Sequence, residues 1–139
     1  LGYDESLAHL IYAGADLILI PSLYEPCGLT QLIAMRYGTV PIARRVGGLA
    51  DTIRDANYSS ASFESRNGYL FDEPTTEALE AAMDRAIELW RDHPDYFSQL
   101  RLNGMRGDYS WQRPAREYLD LYAYARQAQG STDSDASRR

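Results

Sequence analysis

The chain contains no lysine. All fourteen basic residues among its 139 are arginine, set against twenty acidic ones, for a formal charge of −6. That balance argues against a nucleic-acid partner, which needs a basic stripe along the phosphate backbone. Any phosphate held here must be met by arginine, by backbone N–H groups, or by residues outside this chain. Cysteine is almost absent as well: Cys27 is the only one, so no internal disulfide can form, and a single thiol suits a reducing compartment. The two histidines, His9 and His93, are far apart in sequence and have no second cysteine to join them, which excludes a recognisable zinc site. No apolar run approaches the ~20 residues of a membrane helix, and no signal-peptide pattern is visible. Nor is there a G-x-S-x-G elbow, a P-loop or a G-x-G-x-x-G loop.

What is present is ordinary material for a core. Hydrophobic residues make up 45% and charged residues 24%, enough for one small packed α/β domain. The helical pattern begins almost at Leu1, with no initiator methionine, and reads as a segment from the interior of a longer protein. Full activity of the isolated chain would contradict that expectation.

Apolar periodicity orders the elements. Leu7, Leu10, Ile11 and Ala15 share one face of a helix within Asp4 to Ala15, with Asp4 or Ser6 as its cap. "DLILIP" reads as a wholly apolar strand, the kind buried on both faces of a parallel sheet. A second helix runs from about Leu29 to Tyr37, carries Leu29, Leu32, Ile33 and Met35, and stops at Gly38. "TVPIAR" is the next strand, "LADTIRD" a short helix and "GYLFD" a last short strand. Between these last two lies a polar loop, residues 57 to 67. Its Asn57-Tyr58-Ser59 matches the glycosylation sequon, which chance explains best here.

From Thr75 one stripe combines Leu79, Met83, Ala86, Ile87 and Trp90. The acidic row Glu80, Asp84 and Glu88 reads as a solvated face. Pro94 opens a helix through about Asn103, and a final helix covers Ala115 to about Gln127. The whole predicts a doubly wound parallel sheet, Rossmann-like and partial, with extra C-terminal helices. The domain spans residues 1–128; residues 129–139 have no apolar anchor and are expected to be disordered.

Chemistry concentrates in "SLYEPCGLTQLIAMRYG", Ser22 to Gly38. In an open parallel sheet, ligands bind outside the carboxyl ends of the strands, where this loop falls. The helix that follows offers backbone N–H groups near Cys27, Gly28, Leu29 and Thr30, and its dipole adds partial positive charge. Such a terminus suits a phosphate or a sugar hydroxyl, and Gly28 lets a ligand approach the backbone. Thr30 can add a hydroxyl. An anionic Glu25 can accept bonds from sugar hydroxyls or stabilise positive charge developing on a sugar ring. A purely structural reading stands level with this one. In it, Glu25 favours the helix dipole, Thr30 orders the first turn and Cys27 is a small buried apolar residue. Gly47-Gly48 reads as a tight strand-to-helix turn, and Arg44 and Arg45 before it either face an anion or lie at the surface.

The run "AGADLILIPSLYEPCGLTQLIAMRYGTVPIARRVGGLADTI", with "DYSW" and "RPA" further on, resembles the C-terminal part of bacterial glycogen synthases and plant-type starch synthases. A glycine pair is also common in that family where this chain has Ala13-Gly14. These are retaining glucosyltransferases of the two-Rossmann-domain (GT-B) architecture that extend α-1,4-glucan from ADP-glucose. The resemblance implies that Tyr3 stacks on the donor adenine and that Glu25 lies beside the transferred glucose and is essential to transfer. It further implies that the amides of Cys27 and Gly28 meet glucosyl hydroxyls and that Leu29 and Thr30 contact the diphosphate.

Many retaining relatives carry E-x7-E; here the second position is Ile33, as is common in glycogen and starch synthases. The implied partners are ADP-glucose, α-1,4-glucan and an N-terminal domain with a lysine-containing glycine loop, toward which Tyr118, Leu121 and Tyr122 would pack. No metal, cofactor, nucleic acid or membrane is implied, and the setting is bacterial cytoplasm or plastid stroma. The alternatives are a retaining transferase for UDP- or GDP-sugars, or a truncated module that binds nucleotide sugar or glucan without turnover.

Overall fold

A computed structural model describes Gly2 and residues 4–136, with side chains through Gln127. The chain divides into two compact units, Leu1–Gly107 and Asp108–Arg139.

In the first unit the order is α1 (Glu5–Gly14), β1 (Leu17–Ile20), α2 (Thr30–Tyr37), β2 (Val40–Arg44), α3 (Gly47–Thr52), β3 (Tyr69–Phe71), α4 (Thr76–Asp92) and α5 (Pro94–Arg106). The three strands form one parallel sheet in the order β1-β2-β3. Strand residues alternate between two cores, as the pleat requires. Val40, Ile42, Tyr69 and Phe71 pack with Ala82, Ala86, Phe97 and Leu100 from α4 and α5. Ala43, Leu70 and Ile20 pack on the other face with Leu49 and Ile53. Helices therefore cover both faces, and the expected doubly wound parallel sheet is what forms.

Local chemistry sets the element ends. Asp4 caps α1, its carboxylate accepting from the Leu7 N–H at 3.0 Å. α2 ends in Gly38, in the left-handed region at φ 84°, a conformation that costs glycine nothing. Thr75 caps α4, and Pro94 occupies the first turn of α5.

Three burial expectations are corrected. β1 is an edge strand, so Leu19 is 44% exposed rather than buried on both faces. The apolar face of α1 is likewise uncovered, with Leu7, Leu10 and Ile11 all exposed. On α4 the packed face is Ala78, Leu79, Ala82, Met83, Ala86 and Leu89, while Ile87 and Trp90 are exposed. Small Ala82 and Ala86 let the helix approach the sheet closely, and that selects the inward face over the larger flanking residues.

A buried carboxylate anchors the lower half of this unit. Asp55, 2% exposed, accepts from the N–H groups of Leu70, Asn57 and Tyr58 and from Arg85. The Arg85 guanidinium lies over the Tyr58 ring, 4.6 Å from its centroid. Burial alone would raise the Asp55 pKa, but these hydrogen bonds outweigh it and hold it below the ordinary carboxylate value.

In the second unit α6 covers Gln112–Ala136, beginning before Ala115 and running past Gln127. Its last residues, to Ala136, fall within the segment 129–139. Once nucleated, a helix gains one hydrogen bond per residue added, so polar composition does not by itself end it.

Candidate active site

The loop between β1 and α2 lies at the carboxyl end of the sheet, where α/β folds bind ligands. Glu25 is half-buried there and turns back on its own loop. Its Oε1 accepts from the Gly28 N–H at 3.2 Å, and the Ser22 hydroxyl approaches Oε2 at 3.5 Å. Glu25 therefore does take part in turn chemistry, and the Gly28 N–H expected to face a sugar hydroxyl is engaged by the carboxylate. The first turn of α2 is otherwise open. Leu29 holds the N-cap position and makes no side-chain cap bond. Among the described residues the N–H groups of Cys27, Leu29 and Thr30 have no partner, as the geometry of a helix start dictates.

Of the other expected site residues, Cys27 is exposed, which removes its reading as a small buried apolar residue. Gly28 is buried with φ 69°. Leu29 is 66% exposed and Thr30 half-buried. Tyr3 lies outside the described residues. Of the apolar residues its pattern offered, α2 buries Met35 and half-buries Leu32, but not Leu29 or Ile33. Its buried side is Gln31, Ala34 and Met35, with Met35 beside Gly104 of α5. Leu29 and Ile33, one turn apart, stay on the exposed side.

The loop is held from behind by residues whose roles the sequence did not disclose. Gly47 and Gly48 open α3 hard against it. A Cβ on Gly48 would fall 1.5 Å from the Cys27 carbonyl oxygen, and one on Gly47 1.8 Å from that of Glu25. The pair is thus more than a turn: without side chains, it lets the backbone of the Glu25 loop lie directly against α3. Gly48 also donates its N–H to the Glu25 carbonyl at 3.3 Å. Arg44 and Arg45 both have partners within the fold. Arg44 donates to the carbonyls of Leu23 and Asp72, and Arg45 pairs with the Asp72 carboxylate at 2.8 Å. Glycine doublets and arginines at strand ends were the visible signals for this support. Buried Gln31 gave none, because a polar residue inside a helical pattern reads as solvent-facing.

A half-buried carboxylate beside uncapped helix N–H groups, at the strand ends of a parallel sheet, marks an α/β protein with the groups that suit an anionic or hydroxyl-rich ligand. The chain belongs to the glycosyl transferases group 1 family, whose model matches residues 1–100. It is 59% identical over 122 residues to glycogen synthase 1 of Nitrosococcus oceani, covering 88% of this chain and 25% of that protein. Among solved structures, the catalytic domain of starch synthase IV from Arabidopsis thaliana, bound to ADP and acarbose, superposes with a TM-score of 0.84. There the identity is 41%, and the match covers 89% of this chain and 25% of that one. Sucrose-phosphate synthase from Thermosynechococcus elongatus matches at TM-score 0.65 and 28% identity, over 91% of this chain and 29% of the other. The chain thus spans about a quarter of the length of the curated relatives it matches.

Proposed function

We propose that this chain is the donor-side segment of a retaining glucosyltransferase that moves glucose from ADP-glucose to the non-reducing end of an α-1,4-glucan. The observation that carries this reading is Glu25, poised at the carboxyl end of β1 beside the uncapped N-terminus of α2. Its support is the similarity to a glycogen synthase and to a starch synthase whose structure holds ADP.

In this reading Tyr3 stacks on adenine, and the amides of Leu29 and Thr30, with the Thr30 hydroxyl, meet the diphosphate. Cys27 offers its N–H to the glucosyl hydroxyls. Gly28 can do so only when Glu25 releases it, so donor binding and carboxylate reorientation are coupled. Freed, the Glu25 carboxylate faces the sugar ring and stabilises positive charge as the bond to the diphosphate breaks. Holding adenine and diphosphate in place positions the glucosyl carbon and lowers the entropic part of the barrier.

The reading assigns no metal or cofactor. Remaining diphosphate charge would be met by basic residues of an N-terminal domain. The open edge of β1 and the bare apolar face of α1 are consistent with further chain packing there. Among the described residues no helix is long and apolar enough to cross a membrane, and we place the enzyme in the bacterial cytoplasm or a plastid stroma.

The test uses a full-length synthase carrying this segment, such as the Nitrosococcus oceani protein with its matching residues replaced. Transfer of labelled glucose to glycogen is compared for ADP-, UDP- and GDP-glucose. Preference for ADP-glucose is expected. Faster transfer from another nucleotide sugar would overturn the donor assignment, and binding of donor without transfer would reduce the segment to a binding module.

A further inference from the structure

Five hydrogen bonds join the Glu25 loop to α2 and α3 in a closed circuit. The Gly28 N–H donates to Glu25 Oε1 at 3.2 Å. Gln31 Nε2 donates both its hydrogens, to the Gly28 carbonyl at 2.7 Å and to Thr52 Oγ1 at 2.9 Å. The Thr52 hydroxyl donates to the Gly48 carbonyl at 2.6 Å, and the Gly48 N–H returns to the Glu25 carbonyl at 3.3 Å. Gln31 is the one side chain that spans the circuit from loop to α3.

Its amide N–H groups are both satisfied, but its oxygen is not. Gln31 is 0% exposed and its Oε1 has no protein partner, an arrangement that costs free energy. An apolar side chain of similar length would remove that orphaned oxygen but leave the Gly28 carbonyl without its donor, while Thr52 would keep its bond to Gly48. What such a residue could not do is hold the Gly28 carbonyl. In a trans peptide the C=O and the following N–H point in opposite directions. Drawing the Gly28 oxygen inward to Gln31 therefore turns the Leu29 N–H outward, away from the core, at the open first turn of α2.

We propose that Gln31 is a positioning residue for donor binding. Through the Gly28 carbonyl it fixes the Gly28–Leu29 peptide so that the Leu29 N–H faces the nucleoside diphosphate, and Thr52 orients its amide. This rests on the donor-site reading above and adds the residue that sets the diphosphate contact. The role is separable from that of Glu25. Losing Gln31 weakens the hold on the diphosphate, whereas losing the Glu25 charge affects the transfer step.

The experiment measures ADP affinity by calorimetry, donor KM, kcat and Tm in the full-length synthase carrying this segment. Gln31→Met is expected to weaken ADP binding and raise the KM for ADP-glucose about tenfold, the effect of one misdirected charge-assisted hydrogen bond. Saturating kcat should stay within about threefold, and Tm should move by no more than a few degrees. Thr52→Val should shift ADP affinity in the same direction by less, and Thr52→Ser should restore it. Ile42→Val, a trimming of the core remote from the loop, controls for stability and should leave ADP affinity unchanged.

The positioning role is overturned if Gln31→Met binds ADP within about twofold of wild type, or if Ile42→Val weakens ADP as much. If Gln31→Met does not fold, ADP affinity in Thr52→Val decides, and an unchanged value overturns the role. A wild-type enzyme that does not bind ADP at all would overturn the donor-site reading and this proposal together.

Discussion

At the scale of single residues, the site is held by contacts that leave no room for substitution. Gly48 presses against the Cys27 carbonyl so closely that an added Cβ would sit 1.5 Å from the oxygen. Gly48→Ala must therefore push the loop away from α3. The expected cost is about 1–3 kcal/mol of stability, as for other overpacked sites, with at least a tenfold loss of transfer because Glu25 moves with the loop. Urea melts and glucosyl-transfer assays on the same variant check both.

Asp55 makes a different residue-scale case. It is buried, paired with Arg85 and bonded to three backbone N–H groups. Removing its charge in Asp55→Asn breaks the ion pair with Arg85, which keeps Asn57 and the Leu70 carbonyl as hydrogen-bond acceptors, and should cost about 3–5 kcal/mol. Its folded pKa is lowered, so its contribution is fully present above the unfolded value, about 3.9. That contribution is lost as pH falls through the folded value. Wild-type stability should therefore drop more steeply below about pH 4 than that of Asp55→Asn, which lacks this titration. Parallel slopes in acid would remove Asp55 as an anchor.

At the scale of elements, periodicity was enough to place the helices and strands but not always to choose their faces. "DLILIP", "TVPIAR" and "GYLFD" were legible as strands because continuous apolar runs between turn signals have few other uses. Gly38, Asp4, Thr75 and Pro94 marked helix ends because their capping chemistry is local. Faces are set by neighbours, and there the sequence misled. Leu29 and Ile33 look like core and are exposed, while Gln31 looks like surface and is buried. On α4, Ala86 is fully buried and Trp90 is 46% exposed. Ala86→Leu should then destabilise the 139-residue chain by about 1–3 kcal/mol through overpacking. Trp90→Ala should cost less than the ~3–5 kcal/mol typical of a core tryptophan. Denaturant midpoints for the two variants test that assignment, and the reverse order of effects would contradict it.

At the scale of the whole molecule, the unit Leu1–Gly107 carries a sheet with β1 and β3 at its two edges, and the apolar residues Leu7, Leu10 and Ile11 of α1 are exposed. On the proposed reading, the arginine-only basic set fits a donor site completed by cations outside this chain. Family membership was legible in the sequence because the Pro21 to Gly38 run and the Gly47-Gly48 pair are dense in residues with few substitutes. The circuit behind Glu25 was not legible, since Gln31 and Thr52 meet only after α2 and α3 have folded onto the same loop.

The most direct measurement is glucosyl transfer from ADP-glucose by the Glu25→Gln variant of the full-length synthase carrying this segment. Glutamine keeps an oxygen for the Gly28 N–H and removes only the charge, so the turn is preserved while transition-state stabilisation is lost. A fall in kcat of at least about a hundredfold is expected, with ADP-glucose affinity within a few-fold and Tm almost unchanged. A kcat within about threefold of wild type would mean that Glu25 serves the turn alone.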